Sequence, residues 1–117
     1  MTDKLLIIIL SDHENYERAR QGLRVARKIK RGNMLSEVKI LFLGPGVKLL
    51  DKTDARYSNV EHFLKEYQQL GITILACAGN IRAYGLEEKI DRTLVIEDDA
   101  ATVVAENVSK NYNVISF

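Results

Sequence analysis

The chain has one cysteine, one proline and almost no net charge, and each scarcity removes a class of protein. A single thiol cannot close an internal disulfide, build a cysteine-rich zinc site or form a C-x-x-C redox pair. With Pro45 alone, and no repeat or low-complexity segment, there is no proline-rich linker. No apolar run approaches the ~20 residues of a membrane span; the longest, residues 5–10, is the size of a strand. A formal charge of +1 argues against a general affinity for polyanions. No G-x-x-x-x-G-K-[ST] or G-x-G-x-x-G segment exists to cradle nucleotide phosphates, and no residues cluster at metal-ligand spacing. The start of the sequence lacks the basic, apolar and small-residue succession of a signal peptide, so a cytoplasmic location with a reduced thiol is expected.

What is present is enough for one core. The 117 residues are 46% hydrophobic and 28% charged, the balance of a globular chain, and are expected to form one domain over residues 1–117. A chain of this length hides roughly 65% of its unfolded surface. Short apolar runs alternate with amphipathic stretches. Residues 5–10 (LLIIIL), 38–43 (VKILFL), 72–78 (ITILACA), 93–96 (TLVI) and 112–116 (YNVIS) read as five strands. Between the first two, Tyr16, Ala19, Leu23, Ala26 and Ile29 form one apolar stripe on a helix, with Ser11-x-x-Glu14 as a capping box and Gly32-Asn33 as a stop. Ser58-Asn59-Val60-Glu61 offers a second box before Val60, Phe63, Leu64, Tyr67 and Leu70, and Gly71 ends that helix. Asp98 and Asp99 open a helix over 100–110 whose Val103, Val104 and Val108 are expected to face inward. Residues 79–91 read as one or two short helices broken near Gly85. Alternating strands and helices predict an α/β fold, a three-layer α/β/α sandwich around a five-stranded, mainly parallel sheet.

In such a sheet ligands sit beyond the carboxyl ends of the strands. That edge collects Ser11-Asp12-His13, Gly44-Pro45-Gly46-Val47-Lys48, Cys77-Ala78-Gly79-Asn80 and Glu97-Asp98-Asp99. Cys77 ends a strand just before a helix start, where unpaired N–H groups favour a thiolate. An apolar strand also suits a buried, inert cysteine, and both readings stand. His13 is either a base beside that thiol or a loop histidine without a task. Asp12 reads as a helix cap. Gly44 and Gly46 predict a tight turn whose amides could line an anion pocket, with Lys48 as its counter-charge or as a solvated side chain. Ser11, Asn80 and Arg82 complete the candidate rim around Cys77, whereas His62, inside a helix, reads as structural. Receiver-domain chemistry is excluded because the third strand ends in cysteine, not aspartate. The cysteine-phosphatase loop is excluded because Ala83 stands where its arginine belongs.

One set of residues carries a resemblance. Strand 38–43 runs into Gly44-Pro45-Gly46-Val47-Lys48-Leu49-Leu50. A helix then closes on Leu70-Gly71, strand 72–78 ends in Ala76-Cys77, and a small helix holds Tyr84-Gly85-Leu86. From end to end this resembles the DsrE/DsrF-like family, the sulfur-relay group that includes TusD-type carriers and YchN-type proteins. The resemblance implies a flavodoxin-like architecture and a sulfur carrier or persulfide sulfurtransferase. Its cysteine, matching Cys77, takes sulfane sulfur from a donor protein and passes it to an acceptor thiol, without metal or organic cofactor. It also implies a homo-oligomer, a trimer or hexamer. Some subunits of that family are not active in transfer, so a non-catalytic interaction subunit stays open.

Charge distribution supplies another reading. Arg20, Arg24, Arg27 and Arg31 form a basic stripe opposite the apolar one, within a stretch of seven cations and no acid from Arg18 to Arg31. Contact with RNA or an acidic partner would use it. No aromatic platform accompanies these arginines, and a solvated helix face is the simpler reading.

Overall fold

The computed structural model describes residues 3–117. In chain order it contains β1 (Lys4–Ile9), α1 (Tyr16–Arg31), β2 (Glu37–Phe42), a 3-10 segment (Gly44–Leu50) and α2 (Ser58–Leu70). There follow β3 (Thr73–Cys77), α3 (Ala78–Ala83), β4 (Ile96–Asp98), α4 (Ala100–Ser109) and β5 (Asn113–Ser116). The five strands form one sheet in the order β4-β3-β2-β1-β5, and every neighbouring pair is parallel. The first four strands step in one direction and the fifth returns to the far side of β1. Right-handed crossovers therefore place α1, α2 and α3 on one face and α4 alone on the other.

Register sorts the side chains accordingly. Ile7, Ile9, Ile40, Phe42, Ile74 and Ala76 meet Ala19, Leu23 and Ala26 of α1 and Val60, Leu64 and Tyr67 of α2 in the larger core. Leu6, Ile8, Leu41 and Leu75 form a smaller core with Val103 and Tyr112. Each such fully buried aliphatic side chain contributes about 1.5–3 kcal/mol. The Tyr67 hydroxyl donates to the Leu23 carbonyl, tying α2 to α1, and burial pushes that phenol far above its ordinary pKa.

Several expectations need correction. The fourth strand is Ile96–Asp98, not residues 93–96. Asp91 Oδ1 accepts from Thr93 N and Oγ1 at 3.0 and 2.6 Å, and its carbonyl accepts from the amides of Leu94 and Val95. Those bonds turn the chain before it can extend. Neither S-x-x-E box forms. α1 and α2 are entered through 3-10 turns, and an aspartate caps each turn earlier: Asp12 accepts from Glu14 N, and Asp54 from Arg56 N. Ser58 already has helical dihedrals and caps nothing. Asp99 does cap α4, accepting from Thr102 N, and Gly71 closes α2 at φ +78°. Gly32-Asn33 does stop α1, Gly32 standing at its C-cap and Asn33 taking the left-handed conformation at φ +51°.

Val108 is 53% exposed instead of buried. The inward positions of α4 are Val103 and Asn107. Lys39 rises from β2 on that face, donates to Asn107 Oδ1 at 2.9 Å and lies over the Tyr112 ring. A polar side chain is held inside because it pairs with a cation there.

Gly46 is the tightest point. A Cβ at this position would lie 2.0 Å from the Ile9 carbonyl oxygen, so only glycine lets the segment after β2 lie against the end of β1. Gly46→Ala is expected to lower unfolding free energy by about 3 kcal/mol or more. Urea denaturation followed by circular dichroism measures this, and an unchanged midpoint would contradict the close approach.

Candidate functional site

The carboxyl ends of β1, β2, β3 and β4 bring the candidate residues to one edge of the sheet, but into separate neighbourhoods. The strand order reverses between β1 and β5, which is where an open parallel sheet has its natural crevice. Phe117 occupies it. Its amide donates to the Ile8 carbonyl at 2.8 Å, and its carbonyl accepts from Leu10 N at 2.9 Å and Ser11 N at 3.3 Å. Its ring packs where a Cβ of Gly22 would be, 2.7 Å away. Ser11, with Asn15, Arg18 and Pro45, lines an open hollow of about 630 Å³ beside it.

Cys77 lies two strands from that crevice. It ends β3, pairs in register with Asp98 of β4, and stands at the N-cap position of α3. The thiol makes no capping hydrogen bond. It is buried as a member of the larger core, 9% exposed. Gly79, two residues on, is exposed, and a Cβ there would sit 3.9 Å from Cys77 Sγ.

Asn80 and Gly44 are joined to each other, the Gly44 amide donating to Asn80 Oδ1 at 2.8 Å. This bond fastens α3 to the segment that follows β2. The Gly46 amide donates to the Leu43 carbonyl at 3.1 Å. Both glycine amides are thus engaged within the chain, and the segment is a seven-residue 3-10 helix rather than a single turn. Arg82 is exposed in the last turn of α3 and makes no ion pair among the described residues.

His13 and Lys48 share a different cavity, of about 350 Å³, with Arg56, Tyr84 and Lys89 on its wall. Cys77 does not line it. Lys48 Nζ lies 4.6 Å from the Tyr84 ring centroid and 4.0 Å from Asp12 Oδ2. Arg56 pairs with Asp54 at 2.8 Å and Glu14 at 3.3 Å, and its guanidinium holds the Asp54 carboxyl far below the ordinary range. Both ring nitrogens of His13 are shut from water and without a hydrogen-bond partner. Burial, and then the Arg56 charge, lower its pKa against the opposing pull of Asp54, Asp12 and Glu14. Sequence reasoning missed Arg56, Tyr84 and Lys89 as neighbours of His13. They come from three segments, and no local pattern links them.

The basic stripe is largely consumed inside the molecule. Arg20 pairs with Glu17 at 3.2 Å, and Arg24 donates to Gln21 at 3.1 Å. Arg27 and Arg31 both engage Glu66 of α2, with the Arg27 guanidinium 4.6 Å from the Phe63 ring centroid. His62 is exposed, with its ring against Phe63.

Comparison with known proteins places this geometry. The profile of the DsrE/DsrF-like family matches residues 3–117. No curated protein is detectably similar in sequence. Among solved structures, a conserved protein of unknown function from Bacteroides thetaiotaomicron is similar at TM-score 0.77 and 20% identity, over 96% of this chain and 94% of that one. A protein of unknown function from Methanobacterium thermoautotrophicum is similar at 0.74 and 15%, over 97% and 100%. The ychN protein of E. coli is similar at 0.77 and 13%, over 97% and 99%. At these identities the likeness is one of fold.

Two outcomes test the site as described. His13 has a folded-state pKa below its ordinary 6.5, so the unfolded chain binds the extra proton first. Stability should therefore fall as pH drops from 7 through 6.5 toward the lowered folded value, and His13→Asn should flatten that slope in urea midpoints measured across pH 5–7.5. Gly79→Val should slow alkylation of Cys77 severalfold by covering the sulfur, read by mass spectrometry against time. An unchanged rate would mean that the thiol is reached by another route.

Proposed function

The chain belongs to the DsrE/DsrF-like family, and from that premise we propose that it is a sulfur carrier using Cys77. The observation that carries the reading is the position of the thiol: at the carboxyl end of β3, on the N-cap of α3, beside an exposed residue with no side chain. The family's general role, sulfur relay, supplies the chemistry. A Cys77 thiolate attacks the outer sulfur of a donor persulfide; a new S–S bond forms, the donor's S–S bond breaks, and the donor leaves as a thiolate. An acceptor thiolate then attacks the outer sulfur on Cys77, and the Cys77 thiolate is returned. Each displacement makes one S–S bond and breaks one, so no external oxidant or reductant is consumed.

With no second cysteine in the chain, the acceptor thiol belongs to another molecule. Partners are accordingly a sulfur donor protein and a sulfur acceptor protein, and the compartment is a reducing one, the cytoplasm. None of the described helices is long and apolar enough to cross a membrane.

A second reading, a silent interaction subunit, draws on the low exposure of the thiol. The basic stripe gives little support to an RNA-contacting role, because Arg20, Arg27 and Arg31 are already paired with acids.

Incubation of the reduced protein with a persulfide or other sulfane donor should add about 32 Da, reversibly, to the peptide containing Cys77. Cys77→Ser should abolish the gain and keep the fold, since the substitution is nearly isosteric. Folded protein that takes up no sulfur from any of several donors, and whose thiol alkylates slowly at neutral pH, would replace the carrier reading with the silent one.

A further inference from the structure

The cavity beside His13 has no part in the chemistry of Cys77. Its volume, about 350 Å³, is at the small end of the range of small-molecule sites. The wall is assembled from three parts of the chain: the entry turn of α1, residues 48–56 and the loop after α3. Four carboxylates and three cations line it. A wall of both signs matches neither a pure anion nor a pure cation.

These charges are unequally engaged. Arg56 is spent, because its guanidinium closes on Asp54 and Glu14 while its amide also donates to Asp54. Lys48 and Asp12 stand 4.0 Å apart, the outer limit of an ion pair. Lys89 is half-buried and yet makes no ion pair among the described residues. Asp51, also half-buried, meets no cation among them; its Oδ1 accepts only from Thr53, from N at 2.9 Å and Oγ1 at 2.6 Å. The Lys52 amide donates to the Lys89 carbonyl at 3.0 Å, so the segments bearing these two charges are fixed to one another. Two cations and two carboxylates are thus left short of partners on one concave wall, where part-buried charges are costly to leave unpaired. Tyr84 and Leu86 add an apolar patch to it.

We propose that this cavity binds a free α-amino acid with an apolar side chain. Lys48 and Lys89 receive its carboxylate, Asp12 and Asp51 receive its ammonium group, and its side chain lies against Tyr84 and Leu86. A zwitterion brings a partner of the right sign to each of the four charges and leaves the net charge of the wall unchanged. A phosphorylated ligand would instead set a dianion against four carboxylates. An uncharged ligand would displace water from the charged groups without pairing them. Cys77 does not line the cavity, so the site is independent of sulfur transfer.

NMR titration of isotope-labelled protein with L-leucine, L-methionine and L-phenylalanine in turn tests the assignment. At least one should bind with a Kd of about 1 mM or tighter, moving the backbone amide signals of residues 12–14, 48–54 and 84–89. Its carboxamide, which lacks the carboxylate, and its N-acetyl derivative, which lacks the ammonium group, should each bind at least about tenfold more weakly, as loss of a hydrogen bond between charged groups requires. Lys89→Gln and Asp51→Asn should each weaken binding of the parent amino acid by a similar factor. Asparagine keeps the oxygen that Thr53 bonds, and circular dichroism verifies the fold of both variants. Binding of none of the three, equal binding of either derivative, shifts confined to another part of the chain, or an affinity that survives both substitutions overturns the proposal.

Discussion

Parallel pairing is the constraint from which the rest follows. Strands that all run the same way bring every carboxyl end to one edge, and so gather the polar turns of this chain on one side. To close that edge the segment after β2 must lie directly against the end of β1, and Gly46 beside the Ile9 carbonyl is the contact that allows it. The hydrogen bond between Gly44 and Asn80 then carries the same packing across to α3, and so to the residues that flank Cys77. The thiol is placed by backbone geometry more than by its own contacts.

The edge does not act as one site. Phe117 fills the crevice where strand order reverses, His13 sits in a cavity walled by Lys48, Arg56 and Tyr84, and Cys77 lies in the core beside Gly79. A chemistry that needs only a single reachable sulfur can operate in such a divided setting, because attack and departure occur at the same atom and need no assembled base or metal. The neutral imidazole of His13, with neither nitrogen partnered, belongs to the packing of the α1 entry turn rather than to the thiol.

Much of the architecture was legible because period carries it. Within the apolar runs at 5–10, 38–43 and 72–78, residues 6–9, 40–42 and 74–77 are buried on both faces, and that leaves an unmistakable mark. The stripe Ala19–Leu23–Ala26 likewise identifies α1. What escaped was decided by contacts between distant segments or by a choice among adjacent polar residues. Asp12 was readable as a cap and is one, but Asp54 took the second cap from Ser58 because a 3-10 turn precedes α2. Asp91 bent residues that looked like strand. Asn107 displaced Val108 from the interior because Lys39, 68 positions away, needed an acceptor. The position of Cys77 at a strand end was readable; its burial in the larger core was not, since that depends on what α3 and the neighbouring segments pack against it.

The return of β5 to the far flank of β1 has a consequence for how the molecule is made. Leu5 and Asn113 are register partners far apart in sequence, whereas β1–β2 and β2–β3 join neighbours in order. As synthesis proceeds from the amino end, the first three strands can associate while one flank of β1 stays bare. Leu6 and Ile8 then wait, uncovered by α4, until α4 and β5 have emerged from the ribosome. During that interval the nascent chain offers an oily, unpaired ribbon, the kind of surface that holding chaperones shield.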